Sequence, residues 1–274
     1  MAKKRFCLFG LGYISDRHLQ AIKDVEGELI AAYDPYDSVG KLDKYFPDCK
    51  YFKEAEVMDD FLTYNKFDYL VICTPNYLHH AQIKYGIRKG AKIICEKPIT
   101  INYTQYEDIK EYDNIYPIMQ LRLNKNVERL KNIIITRDYK KIEIEYITYR
   151  GDWYDKTWKM NTNKSGGIKY NIGIHIIDLM IYLLGLPRSH IVHSEDKYTI
   201  DLTLYYEFIN VNIYLSIKES KGKRNYKKIK INNEEIDLLE GFDRAHSEVY
   251  KRIVNDEWIK LKDIDKTMKF IKEL

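Results

Sequence analysis

The chain has 274 residues, 45% of them hydrophobic, and 45 Lys and Arg against 41 Asp and Glu give a formal charge of +4. That length suits about two domains at roughly 150 residues each, and the aliphatic content excludes intrinsic disorder, collagen-like and low-complexity sequence. No run reaches the ~18 to 20 apolar residues that span a bilayer, since the best, Ile172 to Leu186, carries His175 and Asp178, so a soluble protein with no membrane partner is expected.

The N-terminal Met-Ala-Lys-Lys-Arg followed by Phe6 to Ile14 has the outline of a signal peptide. Its apolar stretch is short, holds Gly10 and Gly12, and lacks a small-x-small cleavage site, so a strand and turn are expected instead. Five apolar runs then recur: Phe6–Phe9, Leu29–Tyr33, Tyr69–Cys73, Lys92–Cys95 and Tyr116–Gln120. Apolar at nearly every position, they suit strands of a parallel sheet covered on both faces. Amphipathic stretches at Asp16–Val25, Glu54–Tyr64, Tyr77–Lys89 and Tyr103–Asp113 read as the helices between them. The expected fold is α/β: an N-terminal Rossmann-type doubly wound parallel sheet over residues 1–120.

Past residue 120 the pattern changes. After a helix near Lys125–Ile134, period-two alternation appears in Lys141–Tyr149, Tyr198–Phe208, Val211–Lys218 and Lys227–Ile231. Such strands have one wet face, so residues 121–274 are expected to form an α+β domain on an open, mostly antiparallel sheet. A strongly apolar helix, about Tyr170 to Leu184, precedes the hairpins, and helices at Asp243–Asn255 and Ile264–Lys272 close the chain. The run Lys218 to Lys230 holds seven cations and one anion, leaving the remainder slightly acidic, so no general surface for nucleic acid exists. Cys7, Cys49, Cys73 and Cys95 have no metal-ligand spacing and fit buried free thiols in a reducing, cytoplasmic compartment; no metal is expected.

Gly10-Leu-Gly12-Tyr13-Ile14-Ser15 places a GxGxxS turn between the first strand and first helix, where N–H groups and the helix dipole suit a pyrophosphate. Asp34 ends the second strand 22 residues after Gly12, placed to accept from ribose hydroxyls and to repel a 2′-phosphate. No Arg follows within residues 35–40, which favours NAD over NADP; an ordinary α/β turn with a strand-end acid is the competing reading. The next strand ends are Cys73-Thr74-Pro75-Asn76-Tyr-Leu-His79 and Cys95-Glu96-Lys97-Pro98, with Pro98 a candidate for a cis peptide bond. On the apolar helix, Asn171, His175 and Asp178 stand at i, i+4 and i+7 and would share one face. Taken alone His175 suits a satisfied core histidine; taken with a strand-end Lys97 beside a nicotinamide site, it suits a chemical role.

In order along the chain, Gly10-x-Gly12, Thr74-Pro75-Asn76-x-x-His79, Glu96-Lys97-Pro98 and Gly-Gly-x-x-x-Asn171-x-Gly-x-His175-x-x-Asp178 resemble the glucose–fructose oxidoreductase / inositol dehydrogenase family of NAD(P)-dependent sugar oxidoreductases. Asn171 stands where that family usually has Asp. With Gln120-Leu-Arg122, Tyr146–Tyr154, Trp158-Lys159 and Lys164-Ser165, it narrows the resemblance to dehydrogenases of the 3-hydroxyl of UDP-N-acetylglucosaminuronic acid, a step toward diacetamido-uronic acid surface polysaccharides. The resemblance implies NAD held by Gly10, Gly12, Tyr13, Ile14, Asp34, Thr74, Pro75, Asn76, His79, Glu96, Lys97 and Gln120. It implies a Lys97/His175 catalytic pair without choosing the base. The UDP-sugar would meet Lys97, Lys159, Lys164, Ser165, Asn171 and His175, with Arg122 and Arg150 as further cations and Trp153 and Trp158 as pocket walls. Family habit adds a homo-oligomer, dimer or tetramer, and 2-oxoglutarate as a second partner in some members. Oxidation of UDP-N-acetylglucosamine or a free sugar, or a silent NAD-binding regulator, are the alternatives.

Overall fold

The computed structural model describes every residue except 1–2, 37–38, 135–139, 219–221, 223–224, 232–233 and 239–243. Two compact units emerge: one of Met1–Thr100, Thr104–Ile118 and Asp243–Asp263, the other of Ile101–Tyr103, Met119–Phe242 and Ile264–Leu274.

In the first unit the elements run β1 (Arg5–Phe9), α1 (Ser15–Asp24), β2 (Glu28–Tyr33), α2 (Val39–Tyr45), β3 (Lys50–Phe52), α3 (Ala55–Tyr64), β4 (Tyr69–Ile72), α4 (Asn76–Arg88), β5 (Lys92–Cys95), α5 (Tyr103–Ile109) and β6 (Ile115–Pro117). All pairings are parallel, in the order β3-β2-β1-β4-β5-β6. The strands are apolar throughout because both faces are covered: every residue of β4, and of β5 after Lys92, is buried. The strand order reverses between β1 and β4, and ligands of such sheets bind beyond the carboxyl ends at that point. Two short elements, α2 and β3, have too few periodic positions to stand out in the sequence.

The second unit contains α6 (Val127–Ile134), β7 (Lys140–Thr148), α7 (Thr162–Ser165), α8 (Ile174–Leu184), β8 (Ser189–Glu195), β9 (Thr199–Tyr205), β10 (Ile209–Ser216), β11 (Asn225–Ile231) and β12 (Glu234–Asp237). Its sheet, ordered β12-β11-β7-β10-β9-β8, is antiparallel apart from the β7–β10 pair. Val211, Ile213 and Leu215 of β10 are buried and alternate with half-exposed residues, the one-wet-face pattern. The edge strands β8 and β12 have no such signature, and β8 buries no residue fully. Part of the basic run Lys218–Lys230 lies outside the described residues.

The chain closes with α9 (Ala245–Val254) and α10 (Asp265–Glu273). Here the expected single division at 120/121 is corrected, because residues 243–263 return to the first unit. The buried face of α9, His246, Val249, Tyr250 and Ile253, meets α1, where His18 and Tyr250 are in contact. Periodicity tells which face a helix buries but not the surface it meets. The helical stretch Thr162–Leu184 is long and apolar enough to cross a membrane by length and composition alone, but 72% of its apolar window is buried inside the protein. Its hydrophobicity is that of a core helix.

Candidate functional site

The β1–α1 turn is built around Gly10. Its φ of +91° is left-handed, and an added Cβ would lie 2.9 Å from the Cys73 carbonyl carbon and the Thr74 nitrogen. A side chain fits there on neither count. Gly12 differs: it is exposed, its φ is ordinary, and a Cβ would meet nothing within 4 Å. The space beside it, just before α1, is therefore open. Ser15, in the motif position that favours a small residue, is fully buried and donates its hydroxyl to the Gly12 carbonyl at 2.6 Å. Tyr13 is almost fully exposed on the same turn and Ile14 half-exposed.

Asp34, buried at the end of β2, closes the turn from the other side. Its Oδ2 accepts from the Leu11 N–H at 2.6 Å and its Oδ1 from the Tyr36 N–H at 2.9 Å. The acid therefore shapes the loop. Lys41 lies one residue past the segment 35–40 and carries no motif signal, yet it reaches this turn. Its Nζ donates to the Gly12 carbonyl at 2.6 Å and pairs with Asp16 at 2.6 Å.

At the ends of β4 and β5, Thr74 donates its hydroxyl to Gln82 at 2.6 Å, and Asn76 is buried at the start of α4. His79 is also buried, with Nδ1 2.8 Å from the Pro98 carbonyl and Nε2 2.8 Å from the Thr74 carbonyl. Lying between those two carbonyls, it braces the strand-end loops, its neutral ring donating one N–H. Burial pulls its pKa down against the opposing pull of the two carbonyls. Glu96 is similarly turned inward: Oε1 takes the Nε2 atoms of His18 and His246 at 2.9 and 3.0 Å. Although burial opposes ionisation, those two imidazoles hold the Glu96 carboxyl well below the usual range. Lys97 follows, half-buried, with its peptide bond to Pro98 cis as expected.

In the second unit, Gly166 and Gly167 both adopt positive φ, +80° and +74°, and a Cβ on Gly166 would strike Tyr170 at 2.7 Å and the Ile101 carbonyl at 2.9 Å. This Gly-Gly turn delivers the chain into a π-helical turn, Lys169–Gly173, directly before α8. The π turn breaks the regular spacing expected of Asn171, His175 and Asp178. Asn171 donates to the Tyr154 hydroxyl at 2.7 Å, and His175 is buried in the first turn of α8. Asp178 leaves the candidate chemistry: Arg122 binds it twice, at 2.8 and 2.7 Å, and Thr267 donates to it at 2.8 Å. The same pair corrects the expectation for Arg122, whose charge is committed to a buried partner.

Ser165 has a structural part. Fully buried, it donates to the Asn161 carbonyl and accepts the Gly167 N–H, so it caps the turn. Lys164 is exposed beside it. Lys159 stands among the rings of Trp153, Tyr154 and Trp158, 5.6 to 5.9 Å from each centroid, and Arg150 lies 6.0 Å from Tyr154. Burial, with Arg150 adding to it, lowers the Lys159 pKa. Among the described residues no carboxylate pairs with either cation, and the Arg150 Nε is buried without a hydrogen-bond partner. Two adjacent unneutralised cations on an aromatic wall suit an anionic group. Gln120 is buried, and its Oε1 has no hydrogen-bond partner among the described residues. The four cysteines are free thiols; burial pushes Cys49, the least buried of them, up to about 12.

Two family models match: an oxidoreductase family's NAD-binding Rossmann fold over residues 4–114 and its C-terminal alpha/beta domain over 138–204. The structure superposes with a TM-score of 0.91 on the WlbA (WbpB) dehydrogenase of Thermus thermophilus, solved with NAD and alpha-ketoglutarate. Identity is 35%, over 98% of this chain and 94% of that one. The same dehydrogenase solved with NAD and UDP-GlcNAcA gives 0.90 at the same identity and coverage. The scyllo-inositol 2-dehydrogenase (NADP(+)) IolW of Bacillus subtilis is 24% identical over 196 residues, 65% of this chain and 53% of IolW. The chain spans about half the length of that relative and of the next.

Proposed function

We infer the function from one premise: this chain belongs to the GFO_IDH_MocA oxidoreductase family and carries its NAD-binding Rossmann domain. On that footing it is an NAD-dependent dehydrogenase of a nucleotide sugar, oxidising the 3-hydroxyl of UDP-N-acetylglucosaminuronic acid for surface-polysaccharide synthesis. What carries the reading is 35% identity across 98% of the chain to a dehydrogenase solved with NAD and UDP-GlcNAcA. The unneutralised Lys159 and Arg150 favour a uronate over a neutral sugar.

The residues present fit NAD. Gly10 admits the close backbone approach, Gly12 leaves the space beside it clear, and Asp34 offers a carboxylate to the adenosine ribose while repelling a 2′-phosphate. The chemistry a bound NAD would supply is a place for the hydride leaving the sugar carbon. The chain must then take the hydroxyl proton, and Lys97 and His175 share that role, an amine and an imidazole each able to accept a proton at neutral pH when uncharged. Asn171, oriented by Tyr154, donates a hydrogen bond without adding a second base. Lys159 and Arg150 bind the carboxylate, which orients the ring. A homo-oligomer in a reducing cytoplasm belongs to the same reading, and 2-oxoglutarate (alpha-ketoglutarate) would restore the oxidised cofactor by taking the hydride and a proton to become 2-hydroxyglutarate.

An NADH-absorbance assay with UDP-N-acetylglucosaminuronate beside UDP-N-acetylglucosamine, each with and without 2-oxoglutarate, tests this. Turnover of the uronate alone is expected. Oxidation of neither sugar would favour a silent dinucleotide-binding protein, and preference for the neutral sugar would remove the carboxylate clamp.

A further inference from the structure

The first unit holds a buried polar cluster with no part in the chemistry above. Glu96 follows β5, His18 lies near the start of α1, and His246 and Tyr250 face inward from α9. Both Nε2 atoms donate to the same Glu96 oxygen, at 2.9 Å from His18 and 3.0 Å from His246. That fixes the His18 tautomer: its Nδ1 accepts from the Tyr250 hydroxyl at 2.7 Å. The remaining Glu96 oxygen, Oε2, accepts the backbone N–H of Lys97 at 3.2 Å. All four residues are at most 6% exposed.

The ligand atoms of His18, Glu96 and His246 lie within 4.8 Å of one another, a spacing a metal ion could bridge. As it stands the cluster is held by protons: each imidazole gives an N–H to one shared carboxylate oxygen, at 2.9 and 3.0 Å. A buried carboxylate costs several kcal/mol that an apolar side chain in its place would not. What it supplies is direction. One carboxylate ties the helix that opens from the glycine turn, the closing helix and the backbone at Lys97.

We propose that Glu96, clamped by His18 and His246, is a positioning residue for Lys97: it fixes the backbone from which the Lys97 amine extends, in register with the dinucleotide-binding turn. The proposal rests on the reading of Lys97 as a proton acceptor for its kinetic consequence, but not for its geometric one. Tyr250 acts one bond further out, through His18.

The test uses His246→Phe, which removes one donor, and His246→Gln, which restores an N–H. Turnover is expressed per NAD-binding site counted by calorimetry, so loss of folded protein does not register. Misplacing a reacting group by about 1 Å can cost up to ~100-fold. His246→Phe is therefore expected to lower kcat at least tenfold while KM and NAD affinity stay within about threefold, and His246→Gln to recover most of it. A second readout needs no catalysis: the rate at which an amine-specific reagent acylates Lys97, followed by peptide mass. That rate is expected to change at least threefold in His246→Phe and to return in His246→Gln. If it changes while kcat holds, Lys97 is positioned by Glu96 but is not the base, and the functional reading fails alone. If neither changes, the positioning role is overturned. A stoichiometric metal that His246→Phe releases would overturn it as well. Should His246→Phe not fold, Tyr250→Phe deletes a single hydroxyl and is read in the same two assays, with unchanged values again counting against the proposal.

Discussion

Replacing Asp34 by Asn separates its two duties, because the shape is kept and the charge is removed. The carboxylate accepts a buried N–H from Leu11 at 2.6 Å and a more exposed one from Tyr36 at 2.9 Å. The Asn carbonyl can serve Leu11, leaving the amide NH2 against the Tyr36 N–H, which water can satisfy. A hydrogen bond to a charged group contributes about 1.5–3 kcal/mol against about 1 for a neutral one, so roughly 1–2 kcal/mol of stability is lost. The larger effect falls on cofactor choice. Two unit charges about 4 Å apart interact by roughly 1 kcal/mol in water and about 4 at an effective dielectric near 20. Asp34 lies at a rim, only 7% exposed, between those limits. Its repulsion of a 2′-phosphate is thus about 2 kcal/mol, some thirtyfold in relative affinity. Lys41, held beside Gly12, adds a cation that this phosphate could use once the acid is gone. Calorimetric titration of the parent protein and Asp34→Asn with NAD and NADP reads the ratio. NAD is expected to weaken by less than about tenfold while its preference over NADP collapses by about thirtyfold. A ratio unchanged within about threefold would refute the placement of Asp34 at the ribose.

The two glycines of the turn should fail differently. Gly10→Ala meets backbone at 2.9 Å in a left-handed conformation and should cost at least about 1–3 kcal/mol in urea unfolding. Gly12→Ala meets nothing and should leave stability within about 0.5 kcal/mol while weakening NAD in the same calorimetric titration. Asp178→Ala strands the Arg122 guanidinium in the core, an expected loss of about 3–5 kcal/mol. The double change Arg122→Met with Asp178→Leu should unfold at higher urea than Asp178→Ala; a lower midpoint would show that the pair is not isolated. His18, buried and neutral, has its pKa pulled by burial below the ordinary 6.5. Below that value the unfolded chain takes up a proton that the folded one refuses. Stability therefore falls by up to about 1.4 kcal/mol for each unit the pH is lowered, until the folded pKa is passed. Urea midpoints at about pH 7.5 and 5.5, either side of the unfolded value, should show that drop, and His18→Gln should reduce it.

The parallel sheet was legible because its strands are buried on both faces and leave unbroken apolar runs such as Leu70-Val-Ile72. The second sheet was legible in its central strands for the opposite reason, the alternation visible in Val211, Ile213 and Leu215. β8 escaped because a strand with two half-exposed residues and five exposed ones has no apolar face to show. The return of α9 to the first unit escaped for a deeper reason. Tyr250 and His246 announce a polar inward face, but their partners His18 and Glu96 lie 232 and 150 residues away in the chain, and no local rule couples them.

For the candidate site the sequence marked residue types well and their allegiances poorly. Gly10 carries a backbone constraint, a left-handed φ, which a short motif encodes because the constraint belongs to the turn itself. Polar side chains of the strand ends and the apolar helix are different, since a motif cannot say whether a hydroxyl or carboxylate turns toward a ligand or toward the protein. His79, Ser165 and Asp178 each proved to hold backbone or an internal partner. Buried polar groups must be satisfied before they can serve a ligand. The test that separates the two classes is therefore electrostatic. Asp178 has Arg122, whereas Lys159 and Arg150 share an aromatic wall with no carboxylate among the described residues. Two like charges held together are eased by an outside counter-charge, and under the proposed function a substrate carboxylate would supply it. Lys159→Met should accordingly raise KM for the uronate by at least about tenfold and leave UDP-N-acetylglucosamine within about threefold, at about 1.4 kcal/mol per decade. Equal losses on both sugars would mean that Lys159 supports the wall and not the carboxylate.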